Sequence, residues 1–331
     1  MKFKIKKLDK GPMILTGSKV LKAIMDNATP PIDLFVREVI QNSADAILQS
    51  KEYGRIKFNI GKFNNNELCE SLYEIKDNIK EKHNKAEYDF ISISDSNTCG
   101  LLGKASKDEN GGPNNLYNLV YDFMNDKDDD GLGAGGSCGI GKSVYFRYGN
   151  GICFYYSRTK EDGVYKSKLA GTLIQDERND SCFIGKNSSG IAYFGDLDGT
   201  NSIPINNENL ICEFLSIFGI KPYEEDETGT IVIIPFTDLD ALLENNNNAD
   251  DDTPRYWLDS IEQCLKMSIQ RWYFPRINNE SFNGKYLKIA LEDMDDIRYV
   301  IITDSYVYND NHVDLDKCLL NIKWKMGYVG H

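Results

Sequence analysis

The sequence predicts an α/β fold in which amphipathic helices pack against a sheet. Apolar side chains recur at helical spacing along Leu34–Leu48. Apolar and polar residues alternate in Phe90–Asp95 (FISISD), which is typical of a strand with two unlike faces. Thr230–Phe236 (TIVIIPF) is a continuous apolar run, typical of a central strand buried on both faces. The 331 residues are enough for one large domain or two ordinary ones.

The helix predicted for Leu34–Leu48 has two unlike sides. Its core-facing side carries Val36, Val39, Ile40, Ser43 and Ile47. Its other side carries Glu38, Gln41, Asn42 and Asp45. This polar side contains no lysine, and Asn and Asp are poor helix formers, so its residues are candidates for a chemical role. The alternative is that it is only the solvated face of an amphipathic helix.

Two shorter elements are predicted before this helix. The sequence indicates a basic strand near Ile5 and a helix around Ser18–Met25. The Pro-Pro pair at positions 30 and 31 then breaks the chain. Asp33 stands where the N-cap of the long helix is expected.

The chain after the helix predicts a strand, a polar stretch and a second strand. The first strand is Arg55–Ile60, and no structure is predicted for the polar stretch Asn64–Lys85. Asp95 ends the second strand on the same face as Ile91 and Ile93. A carboxylate on the core side of a sheet needs a polar partner.

A long segment rich in glycine, asparagine and aspartate, Ser96–Cys138, predicts a lid or disorder, since irregular segments of this length are uncommon in compact domains. A helical patch, Leu116–Met124, interrupts it. Order is predicted to resume at Gly139, followed by strands at Ile152–Ser157 and near Lys168–Ile174.

The C-terminal third begins with a solvated linker, Glu244–Asp252. Thr253 is predicted to cap a helix that runs to Tyr273 and is ended by Pro275. Its core face includes Ile261, Leu265, Ile269 and Trp272. Residues 285–331 are strand-rich and could begin a second domain.

Composition excludes several classes of protein. The eight cysteines are scattered without a CxxC pair, which argues against a metal cage or disulfide framework and indicates reduced thiols in a cytoplasmic protein. None of the three histidines lies in a motif. The basic N-terminus is not followed by the apolar segment of a signal peptide, and no apolar run has the length of a membrane helix. A net charge of −13 predicts no direct nucleic-acid binding unless a local basic patch or a partner supplies the attraction.

A glycine-rich stretch, GLGAGGSCGIGKS, occupies Gly131–Ser143. Its part from Gly136 to Ser143 fits G-x-x-x-x-G-K-S, the phosphate loop of Walker-type NTPases. Such a loop follows a buried strand, whereas the preceding residues here are acidic and glycine-rich. A turn whose backbone N–H groups cradle phosphates fits as well, and a flexible loop is the third interpretation.

Together these stretches resemble the GHKL superfamily of gyrase, the ninety-kilodalton heat-shock chaperone, histidine kinases and MutL, and its MORC-type members most closely. The first family motif, E-x-x-x-N-x-x-D-A, is matched by Glu38, Asn42, Asp45 and Ala46. The second, an aspartate that ends a strand before a glycine turn, is matched by Asp95, Asn97 and Gly100. The third, a glycine-rich turn, is matched by Gly136, Gly139, Gly141 and Lys142. The fourth, Gly-Thr before a strand, is matched by Gly229 and Thr230.

The resemblance implies a Bergerat-type fold, a two-layer sandwich whose mixed sheet is covered by helices on one face, and an ATPase that uses ATP and Mg²⁺. It implies that Glu38 is the general base and that Asn42 is a Mg²⁺ ligand. Asp95 would accept a hydrogen bond from the adenine amine, and Thr230 would support it.

The same resemblance assigns the remaining candidate residues to the phosphates and the turn. Gly136, Gly139, Gly141 and Lys142 would wrap the triphosphate, with the Lys142 side chain on a phosphate or in solvent. Asp45 would lie beside the nucleotide or serve only as a structural hydrogen-bond partner, as would Gln41. Asn97 and Gly100 would form the turn after Asp95, although Gly100 comes one residue later than in the family; Asn97 can replace glycine in a left-handed conformation.

The implied organisation is an ATP-binding domain over residues 1–240 with a lid at 96–138, a linker at 241–253, and a partial transducer domain at 254–331. ATP would close the lid and drive N-terminal homodimerisation, with further domains or a protein partner. Three alternatives remain: a non-hydrolysing ATP-sensing or scaffold module, a histidine-kinase catalytic domain and a Walker-type NTPase. The kinase is disfavoured because Glu38 is typical of the hydrolases.

Overall fold

The computed structural model describes residues 2–7, 15–24, 30–109, 111–122, 144–180, 182–185, 188–199, 201–244 and 260–291. Several sequence predictions lie outside these ranges. They are the glycine-rich stretch 131–143, most of the linker and residues 292–331.

The described strands form one large mixed sheet. They are β1 (Lys2–Lys7), β2 (Tyr53–Asn64), β3 (Glu87–Ser96), β4 (Ile152–Glu161), β5 (Val164–Ile174), β6 (Ser188–Asp198), β7 (Asn201–Ile203), β8 (Gly229–Pro235) and β9 (Tyr286–Leu291). The spatial order is β1-β6-β5-β4-β8-β3-β2-β9, with β7 paired to β6. The β2–β9 pair is parallel, and the other pairs are antiparallel.

Helices cover both faces of this sheet. They are α1 (Gly17–Ile24), α2 (Pro31–Asp45), α3 (Asn65–Ser71), α4 (Lys76–Lys82), α5 (Val144–Tyr148), α6 (Glu208–Ser216), α7 (Leu239–Glu244) and α8 (Ile261–Tyr273). One hydrophobic cluster contains residues of α1, α2, α5, α7 and α8, and a second contains residues of α3, α4 and α6. The predicted α/β class with a mixed sheet is confirmed. The prediction of helices on one face differs in detail, because three short helices cover the other face.

Strand β8 lies at the centre of the sheet, as its apolar sequence predicts. Ile231 and Ile233 belong to one hydrophobic cluster, whereas Val232 and Ile234 belong to the other. All seven residues of the strand are buried. Because both faces of β8 are covered, each of these side chains contributes about 1.5–3 kcal/mol of hydrophobic stabilisation.

The start of helix α2 differs from the prediction. The helix begins at Pro31, and proline is favoured in the first turn because its missing N–H would have no helical partner. Asp33 is therefore not the N-cap. Its buried carboxylate accepts a hydrogen bond from Ser268 Oγ at 2.6 Å and forms an ion pair with Arg271, so it joins α2 to α8.

The C-terminal described residues extend the same sheet and core. Helix α8 begins at Ile261 and is capped by Ser260, whose Oγ accepts a hydrogen bond from Gln263 N at 3.2 Å. The predicted cap at Thr253 lies outside the described ranges. Trp272 is 41% exposed rather than part of the core face. Strand β9 pairs with β2 from Tyr53↔Tyr286 to Phe58↔Leu291.

The polar stretch without a predicted structure contains α3 and α4. Leu68, Leu72, Ile75 and Ile79 are buried against the second face. Within the described ranges, no helix combines the length and the apolar character that crossing a bilayer requires.

Candidate functional site

The centre of the site is the carboxylate of Asp95 near the end of β3. The side chain is buried, and Oδ2 accepts a hydrogen bond from Ser43 Oγ of helix α2 at 3.1 Å. Oδ1 accepts hydrogen bonds from Thr98 Oγ1 and from the backbone N–H of Thr230, the latter at 3.1 Å. The prediction that Asp95 faces the core side and needs polar partners is confirmed.

Burial controls the protonation of this carboxylate. Removal from water raises the pKa of Asp95 to about 6, and the three hydrogen bonds oppose this rise. The group is therefore mainly ionised at neutral pH. It gains a proton in mildly acidic solution.

The main chain of Asp95 is held by Tyr223 and packs closely against Gly229 at the start of β8. The Tyr223 hydroxyl donates to the Asp95 carbonyl oxygen and lies 3.0 Å from that of Thr230. A Cβ atom on Gly229 would overlap the same Asp95 oxygen. The Gly-Thr motif thus has a physical cause here, because only glycine lets β8 approach β3 this closely, and the contact of Thr230 with the carboxylate comes from its backbone.

The turn after Asp95 is fixed to the chain that leaves α2. Asn97 and Gly100 have φ angles of 64° and 66°, so Asn97 adopts the predicted left-handed conformation. Leu48 N donates to Asn97 O at 3.0 Å, and Cys99 N donates to Ala46 O at 2.9 Å. The side-chain amide of Asn97 donates to the backbone of β2 rather than pointing away from the protein. Both residues shape this turn, and their contact with a nucleotide stays a prediction.

Three residues on the polar side of α2 take part in two side-chain pairs, Gln41 with Asp45 and Glu38 with Arg37. Gln41 Nε2 donates to Asp45 Oδ1 at 2.6 Å, and Asp45 is exposed. Glu38, whose side chain is 12% exposed, accepts two hydrogen bonds on Oε1 from the guanidinium of Arg37, at 3.0 and 3.2 Å. The Gln41–Asp45 pair lies on the outer side of the helix, whereas Glu38 lies towards the protein.

Asn42 lies one turn after Glu38 on α2 and next to Ser43, the residue that contacts Asp95. Its Nδ2 donates a hydrogen bond to the hydroxyl of Tyr145 in α5, at 3.3 Å. Burial raises the pKa of Tyr145, and the negative charges of Asp95 and Glu38 raise it further. The structure thus joins Asn42 to a buried tyrosine and its neighbour Ser43 to Asp95.

The first part of the predicted lid is packed onto the sheet. Lys168 Nζ donates to the backbone of Gly103 at 2.9 Å, and Thr172 Oγ1 donates to Val120 O at 2.8 Å. Leu116 and Val120 are buried in the core. This part does not have the open arrangement expected of a lid, and residues 123–138 lie outside the described ranges.

The four residues of the glycine-rich motif, Gly136, Gly139, Gly141 and Lys142, also lie outside the described ranges. Their contact with phosphates stays a prediction. The described chain resumes with helix α5, which carries Tyr145.

The described residues offer oxygen atoms rather than a preformed metal cage. They contain no group of three or more His, Cys, Asp or Glu side chains that could hold a metal ion. The amide oxygen of Asn42 suits Mg²⁺, which keeps several waters and takes phosphate oxygens as further ligands. A single protein ligand therefore fits this ion when it arrives with a nucleotide.

Sequence reasoning missed four contributors to this site: Ser43, Thr98, Tyr145 and Tyr223. Ser43 carried a signal, because a serine within the apolar stripe of a helix needs a buried partner. Thr98, Tyr145 and Tyr223 carried none, because their partners are distant in sequence or depend on the turn geometry.

Comparisons with known proteins give distant structural matches. No family model and no curated protein sequence matches the chain. The ATPase region of Saccharomyces cerevisiae topoisomerase II is similar with 11% identity and a TM-score of 0.37, covering 81% of this chain and 48% of that one. The same region bound to ICRF-187 (dexrazoxane) gives 13% identity and a TM-score of 0.37, covering 81% and 49%.

The ATPase and transducer domains of Balamuthia mandrillaris topoisomerase II give 12% identity and a TM-score of 0.35, covering 81% and 48%. The chain thus spans about half the length of the solved structures it matches. TM-scores of this size do not assign a function, which has to be proposed from the site itself. The likeness to MORC-type proteins stays a prediction.

Proposed function

We propose that this chain binds ATP between helix α2 and the Asp95 end of strand β3, and hydrolyses it with Mg²⁺. The Asp95 carboxylate carries the proposal. Its Oδ1 accepts two hydrogen bonds and its Oδ2 accepts one from the described residues, which leaves Oδ2 one acceptor position. A buried carboxylate whose orientation is fixed by three hydrogen bonds is a specific acceptor for one further N–H donor.

The exocyclic amine of adenine supplies such a donor. Guanine presents a carbonyl oxygen at the same place, and two acceptors that face each other in a dry site repel. A site built around a hydrogen bond therefore rejects the base that lacks the donor. The same logic explains why the rigid support from Thr98, Thr230 and Tyr223 matters, because it prevents Asp95 from turning away.

In this proposal, the residues of α2 serve the phosphate end of the nucleotide. Asn42 Oδ1 would bind Mg²⁺, which neutralises phosphate charge when bound. Glu38, one turn earlier on the same helix, would orient and deprotonate the attacking water. The backbone of the glycine-rich residues Gly139 and Gly141, and the Lys142 side chain, would surround the triphosphate.

The test is ATP and GTP binding by wild type and Asp95→Asn, measured by calorimetry. A hydrogen bond to a charged group contributes about 1.5–3 kcal/mol, so we expect Asp95→Asn to weaken ATP binding about 10- to 100-fold. Asp89→Asn, at the other end of the same strand, is the matched control and should bind ATP like wild type. Equal binding of ATP and GTP by wild type would contradict the proposal.

The same assay separates the Walker-type alternative. Under that alternative, Lys142→Ala abolishes ATP binding and Asp95→Asn leaves it intact. Under our proposal, the change at Asp95 is the more damaging of the two.

One observation favours a second candidate function, a module that binds ATP without hydrolysing it. Both hydrogen bonds from Arg37 fall on Glu38 Oε1, so the proposed base is already paired with a cation. Phosphate release by wild type and Glu38→Ala distinguishes the two functions. An ATPase loses its activity in the variant, whereas a sensor shows equal, near-zero rates while ATP still binds. If Arg37 restrains the base, Arg37→Ala should increase the rate.

We further propose that ATP binding drives association of two copies through their N-terminal regions. Strand β1 lies at the sheet edge and pairs with β6, and four of its six residues are lysine. Lysines on an edge disfavour direct pairing of two such strands. Exchange, in which β1 of one copy pairs with β6 of the other, avoids this repulsion. Light scattering after size exclusion, with and without a non-hydrolysable ATP analogue, should show a dimer only with the analogue.

A further inference from the structure

The hydroxyl of Tyr145 is the only described group that hydrogen-bonds the side chain of Asn42 in this structure. Tyr145 is 2% exposed, and its ring packs edge-on against Tyr155 with centroids 6.3 Å apart. The ring is thus held by the core. Its hydroxyl is aimed at the side of α2 that carries Glu38 and Asn42.

This hydrogen bond sets the direction of a planar amide group. A side-chain amide carries its two donors on nitrogen and its acceptor on oxygen. Because Nδ2 is turned towards Tyr145, Oδ1 is directed to the opposite side of the group. An amide free to rotate would present its oxygen there only part of the time.

We propose that Tyr145 is a positioning residue that holds the Asn42 amide with its oxygen directed at a nucleotide-bound Mg²⁺. This rests on the proposed function, in which Asn42 is the protein ligand of that ion. Tyr145 itself does not touch the ion. It acts on metal affinity through Asn42.

The environment of Tyr145 suits this role. Its hydroxyl is excluded from water, which removes the competitor that would otherwise hydrogen-bond the amide. Partners that orient a metal ligand in this way alter metal affinity about 10- to 100-fold when they are removed.

The neighbouring residue on α2 is held by a different element. Ser43 donates to Asp95 of β3, whereas Asn42 donates to Tyr145 of α5. Of these two successive residues, Ser43 thus contacts the proposed base-binding carboxylate, and Asn42, the proposed metal ligand, contacts Tyr145. This arrangement separates the expected effects, because loss of the Tyr145 hydroxyl leaves the Ser43–Asp95 contact in place.

The experiment is a Mg²⁺ titration of ATP binding, followed by calorimetry on the full chain. For Tyr145→Phe we expect the Mg²⁺ concentration at half-effect to rise about tenfold, with ATP affinity in EDTA unchanged. Tyr155→Phe removes an equally buried hydroxyl from the ring beside Tyr145, and it should match wild type. Thermal unfolding of each variant checks that it is folded, and a purely structural defect would lower binding in EDTA as well.

A double-variant cycle tests the route through Asn42. If Tyr145 acts only by orienting that amide, Asn42→Ala combined with Tyr145→Phe should need no more Mg²⁺ than Asn42→Ala alone. Additive effects would overturn the inference. The inference would also be overturned if Tyr145→Phe and wild type reached half-effect at the same Mg²⁺ concentration.

The wild-type control separates this inference from the proposed function. No ATP binding at any Mg²⁺ concentration would contradict the proposed function and, with it, the inference. ATP binding that does not depend on Mg²⁺ would overturn the metal role of Asn42 and hence the inference, while ATP binding itself would stand.

Discussion

The two faces of the sheet bury polar groups in opposite ways. On the face covered by α2, Asp95 is fixed by three hydrogen bonds. On the other face, His83 is stacked on Phe236 with ring centroids 4.2 Å apart and meets Tyr88 edge-on. Burial raises the pKa of Asp95 to about 6, and burial, with the nearby charge of Lys82, lowers the pKa of His83 to about 4.

The difference teaches where this molecule can recognise a ligand. In both cases removal from water favours the neutral form. The Asp95 carboxylate keeps a directed acceptor position, whereas the His83 imidazole is stacked in an aromatic cluster and its Nε2 is already paired with Asn150 Nδ2, at 3.1 Å. The first face is therefore suited to binding, and the second face is a stabilising layer. Three predictions can break or sharpen this contrast.

The largest effect is expected from Phe63→Ala in the second hydrophobic cluster, which forms the stabilising layer on the second face of the sheet. Phe63 is buried, and its ring meets those of Phe90, Phe218 and Phe236 at centroid distances of 5.1–6.4 Å. Loss of such a ring costs about 3–5 kcal/mol of unfolding free energy, measured by urea denaturation. ATP affinity of the folded fraction should not change.

The control for this variant is Tyr73→Ala, because Tyr73 is 63% exposed. Truncation there should change stability by no more than about 0.5 kcal/mol. A selective loss of ATP binding in Phe63→Ala, without loss of stability, would contradict the division between the layers.

The second prediction concerns pH. The pKa of Asp95 is raised from 3.8, so its contribution to stability is present below pH 3.8 and is lost as pH rises through about 6. The pKa of His83 is lowered from 6.5, so its contribution is present above pH 6.5 and is lost as pH falls through about 4. The two groups oppose each other between pH 4 and 6.

Single variants should expose each contribution. In Asp95→Asn only His83 remains, so the unfolding free energy should fall more steeply than in wild type between pH 6 and 4. In His83→Gln only the Asp95 contribution remains, so the unfolding free energy should fall less steeply than in wild type between pH 6 and 4, or rise. Each slope is limited to about 1.4 kcal/mol per pH unit, and the His83 slope is the smaller because that side chain is partly exposed. Urea denaturation across this range measures both, and identical profiles in the two variants would refute the contrast.

The smallest effect is expected at the start of α3. The side chain of Asn64 accepts hydrogen bonds from Asn66 N and Glu67 N, at 2.9 and 3.4 Å. Loss of such a cap costs about 1 kcal/mol, so Asn64→Ala should lower stability by that amount and leave ATP binding unchanged. Asn66→Ala, an exposed position inside the helix, is the control and should be neutral or slightly stabilising. A drop in ATP affinity would show that the stabilising layer on the second face affects ATP binding, and would contradict the division between the two faces.

Elements with strong local signals could be predicted from the sequence. Alternation in Phe90–Asp95 placed the carboxylate on the correct face, and the apolar run at Thr230–Phe236 identified the central strand. Helix α2 was recognised by its periodicity. The helix begins earlier than the sequence predicts, because a Pro-Pro pair is expected to break the chain, although proline is well suited to the first turn of a helix.

Other features depend on long-range contacts that local patterns do not contain. Helices α3 and α4 are seven residues each, too short for a convincing period, and they exist because Leu68 and Ile79 find a hydrophobic layer to pack against. Tyr223 reaches Asp95 from more than a hundred residues away. The pairing of Glu38 with Arg37 is local, but it depends on rotamers that the sequence does not fix.

The parallel pairing of β9 with β2 has a consequence for synthesis on the ribosome. Tyr53 meets Tyr286, so more than two hundred residues must be translated before this edge of β2 gains its neighbour. Until then, the backbone groups on that edge can pair with another nascent chain. Shielding by a chaperone during elongation would therefore improve the yield of this protein most before β9 has left the exit tunnel.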